Sequence, residues 1–122
     1  MPFIRIFPLQ ETERVSLEDF GHGNPARCPV QPRFGAREYF LNVDEIAAFE
    51  ECPLYLLSEV ETDALVNGIR IRLRSGAMLV VPDDPEDAED SFVNLLGRAA
   101  RGEIVEMAYS RYLRELERAT RG

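Results

Sequence analysis

The stretch that decides the fold is Ile69-Arg-Ile-Arg-Leu-Arg-Ser-Gly-Ala-Met-Leu-Val-Val-Pro-Asp-Asp-Pro-Glu-Asp-Ala-Glu-Asp90. Its first six residues alternate between aliphatic side chains and arginines, and successive side chains of a β-strand point to opposite faces of a sheet. One face is therefore apolar and the other carries Arg70, Arg72 and Arg74. The pair Ser75-Gly76 is typical of a two-residue hairpin turn, and the apolar residues 77–81 predict a return strand that is covered on both faces.

Upstream of this hairpin, the sequence predicts short strands separated by a long irregular segment. Residues 3–7 alternate in polarity, and the prolines at positions 2 and 8 confine such a strand to a sheet edge or a first position. The turn-forming residues concentrated in 21–36 predict a long surface loop, a kind of segment that is often functional. Residues 38–42 are expected to be extended again.

A helical segment and a further strand are expected between these residues and the hairpin. Asn42 and Glu45 have the spacing of a helix cap and its reciprocal partner, in a segment that Pro53 closes. Residues 54–60 are rich in strand formers. The pair Asn67-Gly68 is a strong turn signal, so we expect a turn directly before the hairpin.

Two C-terminal helices are predicted, over about 85–101 and 103–120. Asp84 and Pro85 are residue types preferred at a helix cap and at the first helical position, and Gly102 separates the two helices. The first helix has an apolar stripe at spacings of three and four, formed by Ala88, Phe92, Leu95, Leu96 and Ala99. The second has a heptad-like seam, formed by Val105, Tyr109, Tyr112, Leu116 and Ala119. This seam predicts packing on the chain's own sheet, with a homodimer through the helix as the alternative.

These patterns together predict one α+β domain over residues 1–122. Its antiparallel sheet of four to five strands is centred on the hairpin 69–81, and the two helices pack on one face of that sheet. A chain of 122 residues can bury a single core without disulfides or metal ions. Hydrophobic residues make up 45% of the chain, which excludes an acidic disordered protein.

The composition also excludes several functional classes. No apolar run is long enough for a signal peptide or for a membrane span of about 18 residues, so we expect a soluble, cytoplasmic protein. Two cysteines and one histidine cannot supply a closed zinc site, and neither a calcium loop nor a phosphate-binding glycine loop is present, so no metal or cofactor is expected. All fourteen basic residues are arginine, a coding bias that indicates a GC-rich bacterial or phage genome.

The negative charge is concentrated in the middle of the chain. The net charge is −8, and residues 38–90 carry fourteen acids against three arginines. Such a field repels nucleic acids and membranes and attracts basic proteins. Carboxylates in a first helical turn offset the helix dipole, which explains two or three of the six at 83–90; the others predict either a binding face or a solubilising surface. The candidate partner-binding residues are Asp83, Asp84, Glu86, Asp87, Glu89, Asp90, Glu50, Glu51, Glu59, Glu61 and Asp63.

The hairpin arginines Arg70, Arg72 and Arg74 are secondary candidates for partner binding. The favoured interpretation is that they pair across strands with neighbouring acids. The alternative is a row of guanidinium groups that binds a phosphate or a carboxylate-rich partner.

The sequence also contains a candidate catalytic pair. His22 and Cys28 are six residues apart, and a cysteine activated by histidine would make the protein a small hydrolase. Such a pair needs an orienting group and an oxyanion donor, which the sequence does not identify. An incidental loop histidine and a small buried thiol are therefore the favoured interpretation, and we expect no enzyme activity.

Two segments resemble the small flagellar FlbD-type proteins. They are Glu38-Tyr-Phe-Leu-Asn-Val-Asp-Glu-Ile-Ala-Ala-Phe-Glu50 and the hairpin stretch from Ile69 with the helix that follows it, to about residue 96. That family pairs a Leu-Asn-x-x-x-Ile-x-x-x-Glu segment with a strand, a polar-glycine turn, a second strand and a helix. The chain departs from the pattern by an insertion at 53–67, a leader of nearly forty residues and an extra C-terminal helix. The resemblance implies a small sheet with a packed helix and a regulatory, non-catalytic role.

The sequence therefore predicts a non-enzymatic binding protein whose acidic face docks on a basic, nucleic-acid-binding protein and inhibits it. A phage anti-defence protein, similar in role to anti-CRISPR proteins, would work in this way in an infected bacterial host. The alternative is a FlbD-like regulatory adaptor that makes its contacts through the hairpin and the last helix.

Overall fold

A computed structural model describes residues 2–6, 8–13, 15–29, 39–57, 64–83 and 91–106. In these residues the chain forms a mixed α and β fold that consists mostly of strands. The elements in chain order are β1 (Phe3–Ile6), β2 (Ala26–Pro29), β3 (Tyr39–Asn42), a 3-10 helix (Val43–Glu45), β4 (Ile46–Leu57), β5 (Ala64–Leu73), β6 (Met78–Pro82), α1 (Phe92–Ala100) and β7 (Val105–Glu106).

The strands form two sheets rather than the single antiparallel sheet that was predicted. The larger has the order β2-β4-β5-β6, and the smaller has the order β3-β1-β7. Strands β4, β5 and β6 are antiparallel, whereas β2 is parallel to β4 and β7 is parallel to β1. Each sheet therefore contains both parallel and antiparallel strand pairs.

The predicted hairpin is present and contributes β5 and β6 to the larger sheet. Its turn is longer than the expected two residues. The Gly76 N–H donates to the Leu73 carbonyl and the Leu73 N–H donates to the Ala77 carbonyl, each at 2.9 Å. Gly76 has a φ of 91°, the left-handed conformation that closes a three-residue hairpin loop and that glycine adopts at little cost.

The C-terminal half differs from the two helices that were predicted. Helix α1 covers only Phe92–Ala100, and its cap is Ser91, whose Oγ accepts a hydrogen bond from the Asn94 N–H at 3.4 Å. The expected cap at Asp84 and the first turn after it lie outside the described residues. Gly102 ends the helix as predicted, but Val105–Glu106 is a strand that pairs with β1. The remainder of the predicted second helix, from residue 107, lies outside the described residues.

The apolar stripe predicted for the first helix is confirmed where it is described. Phe92, Leu95 and Ala99 are buried in the main core, and Leu96 packs against that core. The same core contains aliphatic side chains from both sheets. They are Ile4, Ile6, Leu41, Ile69, Ile71, Leu73, Val81 and Val105. Helix α1 and the smaller sheet therefore share one apolar layer with the hairpin. In the described residues, no helix has the length and apolar character needed to cross a membrane.

A second core lies on the opposite face of the larger sheet. It contains Leu9, Ala26, Cys28, Cys52, Leu54, Leu56 and Val80. The predicted loop 21–36 is therefore wrong for residues 26–29, which form β2 and pair with residues 54–57 of β4. Burial of Ala26 and Cys28 drives this pairing, because alternate residues of β2 reach the core while Arg27 stays exposed.

Strand β1 lies in the centre of its sheet, so of the two positions predicted from Pro2 and Pro8, an edge or a first position, the edge is wrong. Residues 3–6 pair with β3 on one side, and Ile4 and Arg5 pair with β7 on the other. The two prolines flank the strand instead of lying within it. Neither therefore removes a donor from the four paired residues.

Pro53 and the pair Asn67-Gly68 were predicted as a segment end and a turn, and both lie inside long paired strands. Pro53 is opposite Asn67, and Cys52 is opposite Gly68. Pro53 directly precedes the residues that pair with β2, so one edge of β4 has no described strand partner at that position, which is where a strand tolerates proline. The expected helical segment after Asn42 is a single 3-10 turn, in which the Asn42 side chain accepts from the Asp44 N–H at 3.0 Å.

Position 68 in strand β5 requires glycine, because the Leu54 side chain on the neighbouring strand leaves no room for a Cβ atom. A Cβ atom at position 68 would overlap the side-chain carbons of Leu54, which is buried in the second core. The turn propensity of Asn-Gly is therefore overridden by a close approach between two strands.

We expect Gly68→Ala to lower the free energy of unfolding by about 1–3 kcal/mol, the usual cost of adding a methyl group to a packed core. Gly97→Ala is the control, because among the described residues a Cβ there meets only the Arg101 guanidinium, at 3.8 Å. Replacing glycine inside a helix should raise stability by about 0.5–1 kcal/mol. Urea unfolding of both variants measures the two changes, and a neutral effect of Gly68→Ala would contradict the packing described.

Candidate functional site

Three of the eleven acids predicted to bind a partner lie in the described residues, and they have different environments. Glu50 is half-buried, Glu51 is exposed and Asp83 is buried. The other eight lie outside the described residues: Glu59, Glu61, Asp63, Asp84, Glu86, Asp87, Glu89 and Asp90. The structure therefore describes only these three acids of the predicted acidic face.

The Glu50 carboxylate points toward the interior, and both of its oxygens have partners within the fold. Its Oε1 lies 3.1 Å from Nη1 of Arg70, which is its direct cross-strand partner in the register of β4 and β5. Its Oε2 accepts hydrogen bonds from the N–H groups of Gly21 and Gly23, at 2.6 and 3.1 Å. Glu50 therefore fixes the 21–24 segment on the sheet and is not available to a partner.

Arg70 is the centre of this buried polar cluster. Its side chain is 0% exposed. Nη2 forms an ion pair with Glu11 at 2.8 Å, and Nη1 donates to the Asn24 carbonyl at 2.8 Å as well as to Glu50. One guanidinium thus joins β5 to β4 and to two points of the segment that precedes β2. We call Arg70, Glu11 and Glu50, with the Asn24 carbonyl, the Arg70 cluster.

The electrostatic balance of the Arg70 cluster favours the charged guanidinium. Burial by itself lowers the pKa of Arg70, and the hydrogen bond and negative charge of Glu11, with a further contribution from Glu50, outweigh that effect and raise the pKa above its ordinary value. The two carboxylates leave the cluster with one net negative charge. Backbone N–H groups from Gly21 and Gly23 help to satisfy it.

The other two hairpin arginines do not continue this arrangement. Arg72 is half-buried, with its guanidinium carbon 5.2 Å from the centre of the Phe20 ring, and Arg74 is exposed in the hairpin turn. Pairing with an acid on the neighbouring strand, as predicted for all three arginines, is therefore seen for Arg70. The three guanidinium groups do not form an accessible row for a phosphate, because the first is enclosed.

Sequence reasoning missed Glu11 and Asn24 as partners of Arg70. Glu11 is 59 residues from Arg70 along the chain, and no local spacing connects the two. The alternation of the hairpin placed Arg70 and Arg72 on one face, but it did not show that the preceding segment covers that face at Arg70.

A cavity of about 220 Å³ lies beside the middle of strands β4 and β5. Its walls are formed by Glu51, Cys52, Pro53, Asn67, Gly68 and Asp83. Two of the predicted partner-binding acids, Glu51 and Asp83, therefore share one concave site. Sequence reasoning missed the other four residues of this site: Cys52, Pro53, which was predicted as a segment end, and the pair Asn67-Gly68, which was predicted as a turn.

Asp83 connects the cavity to helix α1. One carboxylate oxygen accepts a hydrogen bond from the Phe92 N–H at 2.8 Å, and its own N–H donates to the Asn67 carbonyl at 3.0 Å. A carboxylate at this position satisfies a backbone donor of the first helical turn and offsets the helix dipole. Asp83 therefore has a structural role as well as a place in the cavity wall.

The proposed hydrolase pair is separated by burial. Cys28 is 0% exposed, whereas His22 is exposed in the turn that follows Phe20. Burial, followed by the nearby charge of Glu11, raises the pKa of the Cys28 thiol to about 12. A thiol in this state is protonated and inert at neutral pH, which is the opposite of an activated nucleophile. No cluster of three or more His, Cys, Asp or Glu side chains able to hold a metal ion occurs within the described ranges.

The two cysteines are free thiols in separate parts of the second core. Cys28 is opposite Leu56, and Cys52 precedes Leu56 by four residues on the same strand, a distance of about 13 Å along β4. A disulfide requires Cα atoms within about 7 Å. The sheet therefore keeps the two thiols apart.

Comparison of the chain with protein-family models, with curated proteins and with solved structures found no match.

We expect Arg70→Met to lower the free energy of unfolding by about 3–5 kcal/mol, because removing one member of a buried ionic cluster leaves the others uncompensated. Arg72→Gln is the matched control and should cost about 1 kcal/mol or less, since it loses one partly exposed contact with an aromatic ring. The triple variant Arg70→Met, Glu11→Gln, Glu50→Gln should recover part of the loss. Urea unfolding measures all three, and equal losses for Arg70→Met and Arg72→Gln would contradict the cluster.

We also expect the free energy of unfolding to fall as the pH rises from about 9. Burial raises the pKa values of Cys28 and Cys52 to about 12 and about 11 from an ordinary value of 9.0, so the unfolded chain releases these protons first and is favoured. Each thiol contributes at most about 1.4 kcal/mol per pH unit. The double variant Cys28→Ala, Cys52→Ala should lack this part of the slope between pH 9 and 11. Superimposable pH profiles for parent and variant would refute the assignment.

Proposed function

We propose that this chain is a non-enzymatic acidic protein that docks on a basic, nucleic-acid-binding protein and inhibits it, as a phage anti-defence (anti-CRISPR-like) protein does. The observation that carries the proposal is the enclosed side chain of Arg70. Its partner Glu50 is one of the fourteen acids of residues 38–90, so the enclosed pair removes one acid with one arginine and leaves the excess of eleven negative charges to the other residues of that segment. One of the three arginines in that segment is thereby removed from the surface.

The negative charge of the exposed Glu51 and of the acidic residues that follow Asp83 supports the same proposal. Glu51 is exposed and forms no ion pair with a described residue, and Asp83 leads directly into the five further acids at 84–90. Arg70 is enclosed and Arg72 packs against Phe20, so Arg74 is the hairpin arginine that is exposed. Such a surface attracts a basic partner over a long range and accelerates its association.

The predicted mode of inhibition is competition for a basic surface. A protein that binds nucleic acid presents arginine and lysine side chains to closely spaced phosphates. Carboxylates clustered at comparable density can occupy those side chains and exclude the nucleic acid. The buried, protonated Cys28 thiol and its separation from His22 support a role in binding over a role in catalysis.

We expect expression of the chain in a bacterial host with active CRISPR interference to restore plaque formation by a targeted phage. The purified chain should bind the RNA-guided nuclease complex of that host, and the affinity should fall steeply with salt as the Debye length shortens from about 10 Å at 0.1 M to about 3 Å at 1 M. Replacing Glu86, Asp87, Glu89 and Asp90 by Gln or Asn should reduce the affinity at least about ten-fold, or 1.4 kcal/mol, with little change in the circular dichroism spectrum.

The matched control removes the same charge elsewhere, at Glu13, Glu18, Asp44 and Glu45, all of which are exposed. This control should bind nearly as well as the parent protein at physiological salt. Equal losses for both variants would mean unspecific attraction between opposite charges. Loss of binding on changing Arg72 and Arg74 to Gln, with the acidic variant unaffected, would reverse the polarity of the interface and overturn the proposal.

A further inference from the structure

The cavity beside Asp83 lies on one face of the larger sheet. In the register of that sheet Pro53 is opposite Asn67, and the hydrogen bond from the Asp83 N–H to the Asn67 carbonyl extends the row to the chain beyond β6. Since directly opposed residues point to the same face, these three side chains form a row across three neighbouring segments. Glu51 precedes Pro53 by two residues and points to the same face.

The floor of the cavity is the strand backbone at Cys52 and Gly68. These two residues are opposite each other and alternate with the row just described, so their Cβ directions point to the other face, where Cys52 belongs to the second core. The side chains of Pro53, Asn67 and Asp83 therefore follow one another along the cavity wall. Glu51 lies next to Pro53 in the same wall.

The size of the cavity suits one long side chain. Its volume of about 220 Å³ equals roughly seven water molecules of about 30 Å³ each. Pockets that hold cofactors or drug-sized ligands have volumes of about 300–1,000 Å³, so this one is too small for that class. A side chain projecting from a partner's surface is the natural occupant.

The chemistry of the walls selects a planar cation. None of the six lining residues that the structure describes is basic, two are carboxylates, and Asp83 is only 6% exposed. The carboxylates of Glu51 and Asp83 and the amide oxygen of Asn67 supply acceptors, whereas the ring of Pro53 offers an apolar surface for methylene groups. A guanidinium has five N–H donors in one plane and an aliphatic stem, and it sheds its hydration shell more readily than an ammonium group.

We propose that this cavity binds an arginine side chain of the partner protein, with the guanidinium between Glu51, Asn67 and Asp83 and the stem over Pro53. The proposal rests on the proposed function, since it names the anchor residue by which a basic partner would engage the acidic surface. Long-range attraction brings the two proteins together, and the cavity then fixes the orientation of the complex. Arginine side chains buried in such sites are among the residues that contribute most to the affinity of interfaces.

The test uses a short peptide, acetyl-Gly-Arg-Gly-amide, titrated into the full chain and followed by the NMR shifts of backbone amides. We expect saturable shifts at Glu51, Asn67 and Asp83. The same peptide with citrulline, a neutral analogue of arginine, should produce none of them, and the lysine peptide should bind more weakly than the arginine peptide. Citrulline binding as tightly as arginine, or shifts confined to other parts of the chain, would overturn the proposal.

Two variants separate the cavity from general negative charge. Glu51→Gln should weaken binding of the arginine peptide about five-fold, because an exposed ion pair contributes up to about 1 kcal/mol. Glu18→Gln removes an equal charge at an exposed position outside the cavity and should leave binding unchanged. Asn67→Trp should fill the cavity and abolish the shifts, with unaltered shifts elsewhere as evidence that the sheet is intact. Equal weakening by Glu51→Gln and Glu18→Gln would refute a specific site.

The same variants distinguish failure of this inference from failure of the proposed function. Peptide binding in the cavity together with full phage restriction would disprove the anti-defence role and leave the arginine site standing. Restored plaque formation by both the parent and Asn67→Trp, without peptide shifts at the cavity, would disprove the arginine site and leave the anti-defence role standing.

Discussion

The buried guanidinium of Arg70 determines how the N-terminal part of the chain lies on the larger sheet. A charge that is removed from water must find its partners in the protein, and here they come from three separate places: Glu50 on the neighbouring strand, Glu11 and the Asn24 carbonyl. Because Glu50 in turn accepts from two backbone N–H groups, the segment before β2 has few alternative positions. The Arg70 cluster therefore acts together with the burial of Ala26 and Cys28 to hold β2 beside β4.

Local periodicity explains the parts of the fold that could be predicted. The alternation of residues 69–74, the apolar stripe of α1 and the extended residues before Asn42 are each determined within a few residues, and the structure contains all three. The same kind of signal failed at Asn67-Gly68. There the preference of a dipeptide for a turn is worth less than the pairing of two long strands, and the glycine is required by the Leu54 side chain that packs over it.

The unpredicted parts depend on contacts between distant residues. No spacing in the sequence links Glu11 to Arg70, and the residues of the cavity come from three segments that meet only when the sheet has formed. Asp83 and Glu51 were recognised by their charge alone. Their shared position depends on the register of β4, β5 and β6, which a one-residue slip would destroy by sending alternate side chains to the opposite face.

The parallel pairing of β1 with β7 places a constraint on the order of events during synthesis. Ile4 is opposite Val105, so the first described strand completes its sheet only with one of the last described segments. At translation rates of about 5–20 residues per second, the N-terminal strand waits roughly 5–20 s for its partner. During that interval one edge of β1 and the apolar side chains Ile4 and Ile6 are open to other chains in the cell. Pairing with β3 leaves this edge open, because β3 lies on the other side of β1, so the edge is exposed to pairing with a wrong strand until β7 has been made.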